Sequence, residues 1–118
     1  MLTPAIEQAA DRLLSALRQT DEFSRYQALK QAVMTDEVNS ALLKRFAHAQ
    51  TALQMAALAG TEPREADTAE FEKLSTLLYD SDELSDYLLA QMRAQQLLGE
   101  TMERLTREID LSIELPEL

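Results

Sequence analysis

The scarcity of helix-breaking residues is the feature that most constrains the fold of this chain. Its 118 residues include only two glycines and three prolines. Pro4 and Pro116 lie near the ends, and Gly60 and Pro63 mark one internal break. The intervening stretches are rich in Ala, Leu, Glu, Gln and Arg, which favour helices. Val and Ile together number five, and no stretch alternates as a strand would. The sequence therefore predicts an all-α protein.

A quartet made of a hydroxyl residue, two acids and an apolar residue occurs three times, beginning at Thr20, Thr35 and Ser81. Ser and Thr are preferred N-caps because their oxygen accepts a hydrogen bond from a free backbone N–H. Acids in the first turn face the positive end of the helix dipole. Metal binding by these acids is the alternative interpretation, but capping accounts for every residue of each quartet. We therefore predict that the three hydroxyl residues are helix caps.

The breaks and caps together predict five helices, at about residues 4–18, 21–33, 36–59, 68–79 and 82–111. The two long helices, 36–59 and 82–111, would measure about 36 Å and 45 Å. A compact domain of this size has a radius of gyration of only about 13–14 Å. We expect a single helical domain, residues 1–118, in which the long helices pack as an antiparallel hairpin or bundle. Residues 112–118 are expected to form an extended C-terminal tail. Self-association, most simply as a two-fold dimer, would cover the remaining apolar faces.

The fifth predicted helix carries a heptad-like row with 4-3-4-3 spacing. Its members are Leu84, Leu88, Gln91, Gln95, Leu98, Met102, Leu105 and Ile109. One interpretation is a bundle helix that is partly wet at the two glutamines. The other is that the glutamine pair sets the register with a partner helix.

The C-terminal half of the same helix is the candidate interaction site, because its apolar residues span more than one face. They are Leu97, Leu98, Met102, Leu105 and Ile109. Methionine adapts easily to a contacting chain, so we expect this half to contribute to self-association or to a partner's groove. The competing interpretation is that all five residues are internal. The neighbouring Gly99 is unfavourable inside a helix. It indicates either close approach by another helix, the interpretation favoured here, or a tolerated neutral choice.

The distribution of charge bears on partners and location. Residues 1–61 hold six acids and six bases, whereas residues 62–118 hold fifteen acids and five bases, which gives the net charge of −10. Such a surface repels a phosphate backbone, so direct nucleic-acid binding is not expected. Glu7 and Asp11 lie in the N-terminal stretch, where a signal peptide would be basic and then apolar. No apolar run approaches the about 20 residues of a membrane span. We expect a cytoplasmic protein that does not contact a membrane.

No arrangement of residues in the sequence predicts catalysis. The single histidine, His48, lacks the Glu-x-x-His spacing of helical metal sites, because Arg45 stands three residues before it. Gly60 and Gly99 are isolated, which argues against a glycine-rich phosphate loop. Cysteine is absent. We therefore expect a protein that is not an enzyme and has no cofactor and no metal.

The segment "SRYQALKQAVMTDEVNSALLKRFAHAQTALQ" resembles the core of the YlbF/YmcA family of small helical bacterial proteins. An aromatic-containing short helix is followed by a Lys-x-Ala step at Lys30 and then by a Leu-x-x-x-Phe-x-x-x-Gln helix. That helix carries the motif on Leu42, Phe46 and Gln50. The later stretch "LSTLLYDSDELSDYLLAQMRAQQLLGETMERLTREI" looks like the family's second half, with Tyr87 in a matching place. The similarity covers about residues 5–112.

The resemblance implies an all-helical regulatory or adaptor protein that self-associates and has no known catalytic residues. Its better-known relatives act in competence, sporulation and biofilm control, in a complex that steers an endoribonuclease during messenger RNA processing. Some relatives hold iron–sulfur clusters through cysteines, a property that does not transfer to a chain without cysteine. We expect a non-enzymatic adaptor whose partners are itself and another protein. The alternative is a structural or chaperone-like helical oligomer with no regulatory role.

Overall fold

The structure, a computed structural model, describes residues 1–109 as a succession of five α-helices, and these residues contain no strand. The predicted all-α class is therefore confirmed. The expected tail, 112–118, and the last two residues of the predicted fifth helix lie outside the described residues. The helices are α1 (Pro4–Arg18), α2 (Asp21–Met34), α3 (Glu37–Leu58), α4 (Glu65–Asp80) and α5 (Asp82–Ile109).

Hydroxyl groups stand at the starts of α2 and α5. Thr20 Oγ1 accepts a hydrogen bond from the backbone amide of Phe23 at 3.3 Å and donates to the carbonyl of Leu17 at 2.6 Å. A single residue thus bonds to the last turn of α1 and the first turn of α2. At the other corner, Ser81 Oγ accepts from the amide of Leu84 at 3.3 Å. Both bonds satisfy amides that have no partner within their own helix.

The start of α3 departs from the predicted pattern, because its N-cap is Asp36 and not Thr35. The Asp36 carboxylate accepts from the amides of Val38 and Asn39 at 3.0 and 3.1 Å. The Thr35 hydroxyl instead donates to the carbonyl of Ala32, within the last turn of α2. Predicting Thr35 as the cap was therefore wrong by one residue. The carboxylate serves two amides at once, which one hydroxyl does less well.

Helix α3 ends at a glycine, as the sequence predicts. Gly60 adopts a positive φ of 70°, its amide donates to the carbonyl of Ala57, and the amide of Thr61 donates to the carbonyl of Ala56. This pair of bonds is a Schellman motif, which glycine forms without the strain that a side chain brings. The break predicted at Gly60 is where α3 ends.

The described residues fall into two compact units. One comprises residues 30–87, and the other comprises residues 1–29 together with 88–109. The single-domain expectation stays a prediction. Burial is unequal between the units: residues 30–87 contain seven of the nine buried apolar residues. These seven are Val33, Leu43, Ala49, Leu74, Leu78, Leu84 and Tyr87. The second unit contributes two alanines, Ala90 and Ala94.

Helices α3 and α4 form the main helix–helix contact of the unit 30–87. The rings of Phe46 and Phe71 stack with their centroids 5.3 Å apart, and the neighbouring Arg45 and Glu70 form an ion pair. A six-residue connection, 59–64, joins the two helices, so they make an αα-hairpin. The principal packing partner of α3 within this unit is therefore α4.

Candidate interaction surface

The structure places all five residues of the predicted interaction site on the C-terminal half of α5. Leu97, Leu98 and Met102 are half-buried. Leu105 is 42% exposed and Ile109 is 69% exposed. All five belong to the unit formed by residues 1–29 and 88–109.

One face of α5 changes from covered to uncovered along its length. Ala94, Leu98, Leu105 and Ile109 are separated by four or seven residues and so share a face. Ala94 is 4% exposed and Leu98 is half-buried, whereas the last two residues have the large exposures given above. The apolar row thus continues beyond the part of the unit that covers it.

Helix α1 of the same unit is also incompletely covered. It is amphipathic, yet none of its residues is buried. Leu13 and Leu17 are half-buried, while Ile6 is 51% and Leu14 is 43% exposed. An apolar helix face ordinarily packs against the rest of a protein. In the described residues, α1 therefore keeps a large part of its apolar face accessible.

A shallow groove connects α1 with the candidate site. Leu13 of α1 lines it together with Leu97 and Leu105 of α5. Its polar lining comes from Glu100, Thr101 and Arg104. An apolar floor with a mixed-charge rim is the usual composition of a protein-binding surface.

The charged residues around the site are exposed and weakly paired. Arg104 Nε lies 3.8 Å from Glu108 Oε1, and both side chains are largely exposed. Exposed pairs of this kind contribute at most about 1 kcal/mol, so the rim remains available to form new contacts.

Two features of α5 bear on the sequence-based interpretations of this helix. The buried residues in the middle of the helix are Ala90 and Ala94, whereas the predicted row members Gln91 and Gln95 are half-buried beside them. A Cβ placed on Gly99 meets no atom within 4 Å. The close helix approach suggested by this glycine is therefore not present within the described chain.

The remaining sequence candidates do not assemble into a chemical site. His48 is exposed on α3. Among residues 1–109, no group of three or more His, Cys, Asp or Glu side chains is placed to hold a metal ion. None of the described helices is long and apolar enough to cross a membrane.

Several known proteins resemble this chain over most of its length. It is 30% identical to the UPF0342 protein YheA of Bacillus subtilis (strain 168) over 75% of each chain. It is 31% identical to a UPF0342 protein of Lysinibacillus sphaericus (strain C3-41), in an alignment that covers 82% of this chain and 84% of the relative. A UPF0342 protein of Caldicellulosiruptor saccharolyticus is 24% identical over 90% of this chain and 88% of its own length.

A solved structure supports the same fold. The protein of unknown function (DUF964) from Bacillus stearothermophilus superposes with a TM-score of 0.73, at 14% identity, over 90% of this chain and 93% of that one. The family model described as "Control of competence regulator ComK, YlbF/YmcA" matches residues 6–110. The chain therefore belongs to the YlbF/YmcA family.

Proposed function

We propose that this protein is a non-enzymatic regulatory adaptor that acts through protein–protein contacts. The observation that carries the proposal is the uncovered apolar row of α5, where Leu105 and Ile109 continue a face that is buried at Ala94. The family description, control of a competence regulator, supports a regulatory role. Competence control, with an influence on RNA processing as in the better-known relatives, is the setting that we propose for it.

The first contact that we propose is with a second copy of the chain. Leu105 and Ile109 on α5, and Ile6 and Leu14 on α1, all belong to one compact unit. Two copies that pair these faces around a two-fold axis would form a helical bundle. Full burial of a completely exposed leucine contributes about 1.5–3 kcal/mol, and Leu105 and Leu14, which are 42% and 43% exposed, would each contribute less than half of that. A further protein partner would bind the assembled surface.

The test compares two leucines on α5 that have nearly equal exposure. Leu105 is 42% exposed and lies in the uncovered row, whereas Leu89 is 41% exposed and lies outside it. Size exclusion with light scattering at tens of micromolar should give a dimer for the native chain and for Leu89→Glu. Leu105→Glu and Met102→Glu should give a helical monomer.

The same variants test the regulatory role in the native host. Each would replace the chromosomal copy, carry an affinity tag, and be purified together with its bound proteins for mass spectrometry. We expect Leu89→Glu to keep the native set of bound proteins and the native level of competence transcripts. Leu105→Glu should lose both. A native chain that is monomeric, or a Leu105→Glu chain that loses helicity at all concentrations, would contradict the proposed interface.

A further inference from the structure

The groove between α1 and α5 has an apolar floor that stays accessible among the described residues. Its floor is made by Leu13, Leu97 and Leu105. The first two side chains are only half-buried, and Leu105 is 42% exposed. The groove has a volume of about 410 Å³, which is within the range of cavities that hold a ligand. A segment with a few apolar side chains on one side would therefore fit it.

The sequence that follows α5 has such a pattern. Leu111, Ile113 and Leu115 alternate with the polar residues Ser112 and Glu114. Alternation with a period of two places every second side chain on the same side of an extended chain. The proline at position 116 favours the same conformation, because the residue before a proline disfavours the helix. Residues 110–118 lie outside the described residues, so their sequence alone predicts an extended segment with one apolar side.

This segment is long enough to reach the whole groove. Leu97 lies twelve residues before Ile109 on α5, a distance of about 18 Å along the helix. If residues 110–112 reverse the chain, the six residues 113–118 span about 20 Å in extended form. A reversal directly after α5 therefore brings the apolar side of the segment over Leu105 and as far as Leu97.

Covalent attachment beside the groove favours this segment over a free partner. A segment joined by a short linker has an effective concentration of the order of millimolar at its site. The charged rim does not select a different occupant, because Glu100 and Arg104 have opposite charges. Selection therefore depends on the apolar floor, which the apolar side of the segment complements.

We propose that the 110–118 segment folds back into the groove between α1 and α5 of its own chain and limits self-association. Leu105 belongs both to the groove and to the uncovered row that we assign to the second copy, so the two occupants exclude each other. The inference rests on the proposed function, since the second copy is the competitor. At an effective concentration and an intrinsic Kd of about 1 mM each, the segment fills a groove about half of the time. A dimer that needs both grooves free is then weakened about fourfold.

The test uses the full chain with its apolar segment altered. A double serine variant, Ile113→Ser with Leu115→Ser, removes the apolar side and keeps the length. Glu114→Gln is the matched control, because it lies between the two positions and leaves the apolar residues in place. Sedimentation equilibrium over a dilution series gives the dimer dissociation constant. We expect the double serine variant to dimerise about fourfold more tightly than the native chain, and the control to match the native chain.

Occupancy of the groove is measured separately by NMR in a chain that does not dimerise. Met102→Glu supplies this monomer if the proposed function is right, and the native chain itself supplies it if the native chain is monomeric. In that background, the two serine substitutions should shift the amide resonances of Leu97 and Thr101, which line the groove. The Glu114→Gln control should leave them in place. Amides of α3, which belongs to the unit 30–87, serve as the internal reference.

The outcomes separate this inference from the proposed function. If the groove amides do not shift, the segment does not fold back, and the proposed dimer interface is unaffected by that result. A double serine variant that dimerises more weakly than the native chain would also overturn the inference, because its apolar residues would then contact the second copy. Groove shifts with an unchanged dissociation constant would overturn the competition. A native chain that is monomeric at all concentrations would refute the proposed function, and with it the competition.

Discussion

Phe46 stacks on Phe71 with 5.3 Å between ring centroids and 22° between ring planes. One residue earlier on each helix, Arg45 pairs with Glu70. An aromatic pair contributes about 0.5–1.5 kcal/mol beyond the area that it buries. The exposed ion pair contributes less, because solvent screens it. The ring stack is therefore the specific contact that aligns α3 with α4.

Removal of one ring should destabilise the hairpin. We expect Phe71→Ala to lower the free energy of unfolding by about 2–3 kcal/mol, less than for a fully buried ring because the site is half-buried. Urea denaturation followed by circular dichroism measures this change. Tyr79→Ala on the same helix is the control, because Tyr79 is 67% exposed, and it should change stability by less than about 0.5 kcal/mol. Equal effects of the two substitutions would contradict the role given to the stack.

The two glycines should respond to alanine with opposite signs. Gly99 lies inside α5 with open space around it, so Gly99→Ala should stabilise the chain by about 1 kcal/mol. Gly60 has a φ of 70°, so Gly60→Ala should destabilise it by about 1 kcal/mol. Thermal unfolding of both variants gives the comparison. If Gly99→Ala instead weakens self-association, then another chain approaches the helix closely at that position.

The neighbouring residues Thr35 and Asp36 should differ in how much each contributes to stability, because only Asp36 caps α3. Asp36→Ala should cost about 1 kcal/mol, because two amides lose their acceptor. Thr35→Ala should cost clearly less, since its hydroxyl bonds only a carbonyl of α2. Thr20→Ala and Ser81→Ala should each cost about 1 kcal/mol. Urea midpoints of the four variants rank them, and a larger effect at Thr35 than at Asp36 would restore the original capping scheme.

The alanines of α5 should be intolerant of larger side chains. Ala94 is 4% exposed, so Ala94→Leu should destabilise the chain by about 1–3 kcal/mol through overpacking. Gln95→Leu, one residue along, should be tolerated because that side chain is only half-buried. Both variants introduce a leucine, so the difference between their free energies of unfolding measures the cost of overpacking at position 94. Similar values would mean that Ala94 has room around it.

The helical architecture was predictable because its causes are local. The rarity of glycine and proline restricts the breaks to a few places, and a Schellman glycine at position 60 ends α3 as expected. Hydroxyl caps at Thr20 and Ser81 mark corners for the same reason. Each of these features depends on residues within one turn of each other, which a sequence displays directly.

The start of α4 was predicted three residues late because its cap is atypical. The N-cap residue is Arg64, whose side chain makes no capping bond. It bonds Asp67 instead, with Nε to Oδ2 at 3.0 Å, and this bond and the charge of Asp67 raise the pKa of the guanidinium. A search for Ser, Thr, Asp or Asn does not detect such a start.

The packing of α5 was only partly predictable, because alanine is ambiguous. Ala90 and Ala94 are buried, but alanine is equally common in exposed helix positions, where it simply favours the helix. The row through the larger Leu84, Leu98 and Leu105 was identified from the sequence, whereas the selection of Leu105 and Ile109 as interaction residues stays a prediction. Which neighbour covers each alanine depends on contacts between distant residues, and a local pattern does not contain that information.

Three of the four connections between helices are only one or two residues long. Two residues separate α1 from α2, two separate α2 from α3, and Ser81 alone separates α4 from α5. One inserted residue at such a corner would turn the next helix by about 100° about its axis and carry its apolar row away from its partners. We therefore expect members of the family to have no insertions or deletions at these three corners. The 59–64 connection is the internal position where chain length is free to vary.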